Sequence, residues 1–355
     1  MQAYFDCREH KRNTYTALDF EQQLERNLDQ LYEDLISGTY RPGSSICFIV
    51  TRPKPCEVWA AGFRDRVVHH LLYNRIGPRF ERTFIADSCA CIQGRGTAYA
   101  AARLERKIRS ITQNWKRPAW YLKCDVANFF VSIDKRIVGG LLEQRIPEPW
   151  WLRLTEQVLF HDPRPGCLVQ SDQARLALIP PHKSLWTQPE HLGLPICNLS
   201  SQFFANVYLN ELDQHVKHAL RVRHYVRYVD DFVLLDESPQ WLNFARADIE
   251  AFLPERLGIR LNPRKTILQP LERGVDFVGQ VIKPWRRTPR RRTVNSALAR
   301  LKLMPPSERY ESANSYFGLL RQSPSSHDSR VALAKLLLLQ GFTVNKKLTK
   351  VYQPA

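Results

Sequence analysis

The sequence has no C-x-x-C pair. Its eight cysteines are scattered, at Cys7, Cys47, Cys56, Cys89, Cys91, Cys124, Cys167 and Cys197. That spacing excludes a zinc knuckle and a dithiol redox motif. The N-terminal stretch MQAYFDCREHKRNTY lacks an apolar secretory core, so reduced thiols in a packed interior are expected rather than a disulfide framework. No apolar run approaches the length of a membrane span, and there is no internal repeat. A cytoplasmic protein without a membrane partner is expected. With 355 residues, 44% hydrophobic and 25% charged, the chain is globular and long enough for two or three units sharing a sizeable core.

Acidic residues are also in deficit. Fifty-two Lys and Arg face 35 Asp and Glu, for a net charge of +17 and a pI near 9.7. Such a balance favours a polyanionic partner, nucleic acid before an acidic membrane. The densest stretch, KPWRRTPRRRTVNSALARLK at 283–302, holds eight Lys or Arg and no acid. It reads either as a solvated linker or as a phosphate-holding segment. Its cations include Lys283, Arg286, Arg287, Arg290, Arg291 and Arg292, and Trp285 within it could stack or pack.

Periodicity gives a mixed α+β pattern. Residues 17–37 repeat apolar positions at helical spacing, as does FRDRVVHHLLYNRI. SSICFIVTRPKPCEVWAA reads as a hairpin whose tip carries Arg52 and Lys54. AWYLKCD reads as a strand ending at Asp125, residues 161–192 as a long loop, and SSQFFANVYLNELDQHVKHAL as a strong helix. Residues 295–342 read as helical.

The stretch HYVRYVDDFVLL, 224–235, sets Asp230 and Asp231 between two β-prone runs. The pair therefore sits at the tip of a tight hairpin. A plain turn accounts for one aspartate through its own side-chain hydrogen bonds but accounts poorly for two. Like charges this close are costly unless a cation neutralises them. Asp125 is a third carboxylate, brought to the same sheet edge if the two β elements lie side by side. Hard oxygen ligands of this kind suit Mg²⁺, and two ions could clamp an in-line phosphoryl transfer.

The order of these pieces resembles a reverse transcriptase. YVDD and CDVANFFVSID are similar to its palm, RPKPCEVWAAGFRDRVVHHLL to its fingers, and GLPICNLSSQFFANVYLNELD to the block before the YVDD hairpin. GIRLNPRKT and VDFVGQVI are similar to the two blocks after it. The resemblance implies an α+β right-hand polymerase fold with an antiparallel palm sheet and a helical thumb. Its expected parts are N-terminal helices and fingers at 1–118, palm at 119–282 with an insertion at about 140–192, and a basic linker and thumb at 283–355. It implies two Mg²⁺ ions held by Asp125, Asp230, Asp231 and the Val126 carbonyl. It puts Phe130 at the gate against a ribose 2′-hydroxyl, or else in the core as neighbouring Phe129 is expected to be. Lys265 falls at a proton donor for pyrophosphate, or is an exposed lysine. Phe277 and Gly279 match the primer-grip hairpin, or are ordinary strand residues.

Most reverse transcriptases read P-Q-G-x-x-x-S-P where this chain has Pro195, Ile196, Cys197, Asn198, Leu199, Ser200, Ser201 and Gln202. The aliphatic residue and the Ser-Gln ending resemble the branch from diversity-generating retroelements. Simple capping by Ser201 is the plainer account of Ser-Gln, but it leaves Ile196 unexplained. The branch usually has Arg at position 56 and Gly at 197; both are cysteine here. Arg52 or Lys54 would then take over a contact to the incoming triphosphate. With Ile196 and Gln202 beside the nascent pair, a positioned hydrogen bond is lost and discrimination weakens. The branch implies error-prone copying of a template RNA into cDNA at template adenines, from deoxynucleoside triphosphates, for targeted gene diversification in a bacterial or phage setting. It also implies a small basic helical oligomeric accessory protein. The other readings are a retron, group II intron-like or phage-defence reverse transcriptase, and a nucleic-acid-binding protein with a degenerate polymerase fold.

Overall fold

The computed structural model describes residues 1–9, 13–52 and 54–353. The chain forms two compact units, each discontinuous in sequence. The first comprises Met1–Ala86, Asp125–Arg221 and Ala247–Asn262, and the second Asp87–Cys124, Val222–Arg246 and Pro263–Ala355. Hydrogen bonding between remote segments makes the units discontinuous: one four-stranded sheet draws its strands from near 120, 230 and 268. Among the described residues no helix is long and apolar enough to cross a membrane.

In the first unit, helices Gln2–Arg8, Tyr15–Gln22 and Leu24–Ser37 bury Tyr4, Phe20, Leu31 and Leu35 with Phe63, Val68 and Leu72 of helix Phe63–Glu81. The single helix expected over 17–37 is broken at Gln23, which has φ −130° and ψ 48°. The break displaces an amide partner of Phe20, and the Asn27 side chain donates to that carbonyl instead, at 2.8 Å. Strands Ile46–Val50 and Cys56–Ala60 form the expected antiparallel hairpin. Arg52 and Lys54 are exposed at its tip, and Pro53 lies outside the described residues. Buried Glu57 ties the hairpin to the following loop by accepting from Ser184 Oγ at 2.5 Å and Leu185 N at 2.8 Å. The stretch expected as a loop, 161–192, is largely so. It also contributes a short strand, Leu168–Val169, parallel to Ile46–Cys47. Helix Leu199–Gln214 is buried around almost its whole circumference, and its buried side chains include polar Ser200, Ser201, Asn206, Asn210 and Asp213 as well as the apolar ones.

In the second unit the sheet runs in the order His224–Tyr228, Asp231–Asp236, Trp120–Asp125, Ile267–Pro270. Ala100, Leu104 and Ile108 of helix Thr97–Ile111 pack on Val226, Val233 and Leu235. Strands Val275–Phe277, Gln280–Lys283 and Arg286–Pro289 make an antiparallel meander. Helices Arg291–Leu303, Pro306–Leu320 and His327–Leu338 enclose Leu301, Phe317 and Leu333. The linker reading of 283–302 is thereby corrected: these residues are strand, turn and helix. Two of their cations find remote acids, Arg287 with Glu105 at 3.1 Å and Arg290 with Asp276 at 2.8 Å. Helix was expected to residue 342. The chain instead turns at Gly341, φ +86°, into a ribbon of Thr343–Val344 with Val351–Tyr352.

Gly193 fixes the approach to Leu194, Pro195 and Ile196. It has φ +87°, and an added Cβ would stand 2.5 Å from Leu185 Cδ1 and 3.4 Å from the Val131 carbonyl. Gly193→Ala should lower unfolding free energy by about 1–3 kcal/mol, read by urea denaturation. An unchanged midpoint would show that this turn relaxes freely.

Candidate active site

The aspartate pair lies on a two-residue turn. Tyr228 pairs with Asp231, leaving Val229 and Asp230 as the turn residues. Val229 has φ +55°, a region that costs a β-branched residue roughly 1–2 kcal/mol. Tight hairpins favour glycine at such a position. The distortion is held from beneath by Arg227, which is fully buried. Its Nη1 donates to the Val229 carbonyl at 3.0 Å and its Nη2 to Ser88 Oγ at 2.9 Å. Its backbone bonds on both sides to the 87–89 segment, Arg227 N to Asp87 O and Cys89 N to Arg227 O. Asp87 is itself buried and pairs with Arg103 at 2.5 Å and Lys107 at 3.0 Å. Neither Arg227 nor Asp87 emerged from motif spacing. The available signal was a lone cation inside an apolar strand, which demands a buried partner.

Asp231 opens its strand, and its Oδ2 lies 3.0 Å from Lys123 Nζ. Lys123 also donates to the Asp276 carbonyl at 2.7 Å. The ammonium neutralises this carboxylate, and a divalent ion bound here would take its place or share the carboxylate with it. Among the described residues no three His, Cys, Asp or Glu side chains group as a metal site. The strand that ends at Asp125 is the sheet neighbour of the strand that begins at Asp231. In the first unit, Asp125 is braced by Asn262, whose amide N bonds to the Asp125 carbonyl at 2.7 Å and whose Nδ2 reaches Oδ1 at 3.3 Å. Val126 follows, its side chain buried and its backbone bridged to Leu261.

In the first unit the 128–133, 193–198 and 59–61 segments are joined by hydrogen bonds. Asn128, φ +50°, turns the chain into the short helix Phe129–Ser132. Phe129 is buried, as expected of a core residue, and Phe130 is half-buried with its carbonyl bonded to Leu194 N at 2.8 Å. The Ile196 carbonyl accepts from Trp59 N at 3.1 Å, and the side chain is half-buried. Asn198, which sequence reading passed over, is the clasp. Its Nδ2 donates to the Trp59 carbonyl at 3.1 Å and its Oδ1 accepts from Ala61 N at 3.2 Å. Asn198 is also the helix N-cap residue. Ser201 lies inside the first turn and is buried, so the capping reading of Ser201 is corrected, and Gln202 beside it is half-buried. Cys197 is exposed at φ +87°, where the resembling branch has glycine. Burial pushes the Cys56 thiol above its ordinary range, so position 56 carries no charge near neutral pH.

The remaining expected residues fall in the second unit. Lys265 is exposed on the turn Pro263–Lys265. Phe277 is fully buried in the core, so its expected contact to nucleic acid is corrected to packing. Gly279, φ +82°, closes the turn after it. Lys283 is half-buried, and Arg286, Arg291 and Arg292 are exposed. Arg287 and Arg290 are engaged in the ion pairs described above.

The family described as Reverse transcriptase (RNA-dependent DNA polymerase) matches residues 60–282. The chain belongs to the reverse transcriptase family. The match covers the Asp125 strand, the Tyr-Val-Asp-Asp hairpin and the Ile196 segment, and the expected α+β right-hand polymerase fold is borne out. No curated protein matches this reverse transcriptase. Among solved structures it is similar to telomerase from Candida albicans in complex with a fragment of telomeric RNA, with TM-score 0.51 and 12% identity over 84% of this chain and 54% of that one. Apo telomerase from Candida tropicalis gives TM-score 0.46 and 13% identity, over 84% and 57%. The chain spans little more than half the length of these telomerase chains, and at such identity the likeness shows the fold alone.

Arg227→Met keeps length and removes the donors beneath the turn. It should cost about 2–3 kcal/mol of stability from lost charge-assisted hydrogen bonds, measured by urea denaturation. A loss under a few tenths would show that the hairpin stands without its clamp.

Proposed function

We propose that this chain is an RNA-directed DNA polymerase that copies an RNA template into cDNA from deoxynucleoside triphosphates. The observation that carries the reading is the family match over 60–282, with Tyr228–Asp231 at a braced hairpin turn. In this reading Asp125, Asp230 and Asp231, with the Val126 carbonyl, hold two Mg²⁺ ions. The all-oxygen donor set suits that ion, and the Lys123 ammonium against Asp231 supports a cation-attracting position. When bound, such ions lower the pKa of a primer 3′-hydroxyl and stabilise the departing pyrophosphate. Phe130 excludes a ribose 2′-hydroxyl by bulk. Arg52 and Lys54 reach for the triphosphate, and Lys265 donates a proton to pyrophosphate. Gly279, Lys283, Arg286, Arg291 and Arg292 hold the backbone of the nucleic acid. Asp230→Asn preserves shape and removes one ligand charge. It should reduce primer extension to background while RNA binding persists; normal extension would remove the assignment.

The finer reading is the polymerase of a diversity-generating retroelement, with a structured template RNA and a small basic accessory protein. Ile196 and the Ser201–Gln202 ending support it. An isoleucine offers contact area without donor or acceptor, so pairing at the nascent position depends on shape alone. Wild type should misincorporate most often opposite template adenine, and Ile196→Gln should lower that rate, both read by sequencing cDNA from one defined RNA. Equal accuracy at all four template bases, with template RNA and accessory protein supplied, would exclude the retroelement reading. Errors that persist unchanged in the variant would acquit Ile196 alone.

A further inference from the structure

The meander hairpin of Gln280–Lys283 and Arg286–Pro289 closes on a two-residue turn, because Lys283 pairs with Arg286. The turn residues are Pro284 and Trp285. Proline sets the φ required at the first central position of a type II turn. The second central position requires positive φ and favours glycine. Trp285 occupies it, at φ +62°. The adjoining hairpin solves the same problem with Gly279 at φ +82°. Trp285 is also 67% exposed, so its indole is not repaid by core burial. A bulky aromatic is held out in solvent in a conformation that opposes it, and strain kept at an exposed position points to a use for the side chain.

The surroundings indicate which ligand. Lys283 and Arg286 flank the tip, and Arg286 is exposed. The ribbon is four residues long, roughly 13 Å. At its other end Arg290 N bonds to the Gly279 carbonyl at 3.0 Å, and exposed Arg291 and Arg292 open the next helix. Arg287 and Arg290 are spent on Glu105 and Asp276, which leaves exposed cations at both ends of the ribbon and the indole at one. Alternating cations and an exposed aromatic match single-stranded nucleic acid, where phosphates are held electrostatically and bases stack. A protein partner would meet an indole ringed by like charges, which favours the polyanion.

We propose that Trp285 is a stacking platform for an unpaired nucleobase, with Lys283 and Arg286 holding the adjacent phosphates. This rests on the polymerase reading above and assigns a contact outside the aspartate site. The test uses the full chain and fluorescence anisotropy with labelled 15-nucleotide single-stranded RNA and DNA over a salt series. Trp285→Gly should melt at a higher temperature, because the turn is relieved. It should nonetheless bind about tenfold more weakly, with the salt slope of log K unchanged because no phosphate contact is lost. Trp285→Phe should retain most of the affinity. Arg286→Gln should instead reduce the slope by about one. A loss confined to RNA places the base in the template, and one confined to DNA places it in the primer strand. Wild-type affinity in Trp285→Gly overturns the proposal and leaves the polymerase reading intact if primer extension persists. A fall in slope accompanying the loss also overturns it. Absence of any wild-type binding to either strand overturns both.

Discussion

A guanidinium with no access to water sustains the turn that presents Asp230 and Asp231. Arg227 is fully buried and bonds both to the Val229 carbonyl and to Ser88. A buried charge is tolerated only when its donors are used. Those bonds are what keep a β-branched residue at φ +55°. Asp87, whose carbonyl accepts from Arg227 N, carries the network on to Arg103 and Lys107. Hairpin, 87–89 segment and helix Thr97–Ile111 are therefore one polar assembly inside an apolar core. Breaking any member strands the others, so the aspartate turn inherits the rigidity of the second unit rather than the looseness of a loop.

What could be read from the sequence were the features with a local signature. Alternation around 224–235 gave the hairpin, and the apolar run before Asp125 gave a strand ending there; both are present. Phe129 in the core and Phe130 half-buried match the expectation that Phe129 is the packing residue of the two. The features missed depend on partners far away in the chain. Arg287 and Arg290 looked like linker charges because Glu105 and Asp276 are remote. Asn198 gave no local signal, because its side chain is committed to Trp59 and Ala61, more than a hundred residues earlier. The interleaved units were invisible for the same reason: strand pairing is non-local.

In the first unit the segment 193–198 is defined by backbone rather than by side-chain charge. Gly193 N and Leu194 N donate to the carbonyls of Ile133 and Phe130, the Ile196 carbonyl accepts from Trp59 N, and the Asn198 side chain bonds to the Trp59 carbonyl and Ala61 N. This leaves the Ile196 side chain held in place without a polar group of its own. Cys56, on the strand beside it, supplies no charge where the resembling branch has arginine. Any selectivity exercised by these residues must come from shape, and shape discriminates single groups weakly compared with an unpaired buried donor or acceptor.

Positive φ serves different ends at different positions. At Gly193 and Gly274 an added Cβ would stand within 3 Å of a neighbouring side chain, so packing and backbone both require glycine. At Val229, Cys197 and Trp285 the same region of conformational space carries a full side chain. Each of those three is partly or wholly exposed. A buried strained residue could be retained for packing alone, because burial would offset its backbone cost. An exposed one receives no such return. The first group therefore belongs to the construction of the fold. In the second group Arg227 holds the Val229 turn from beneath, whereas Cys197 and Trp285 stand exposed with their strain not offset by burial.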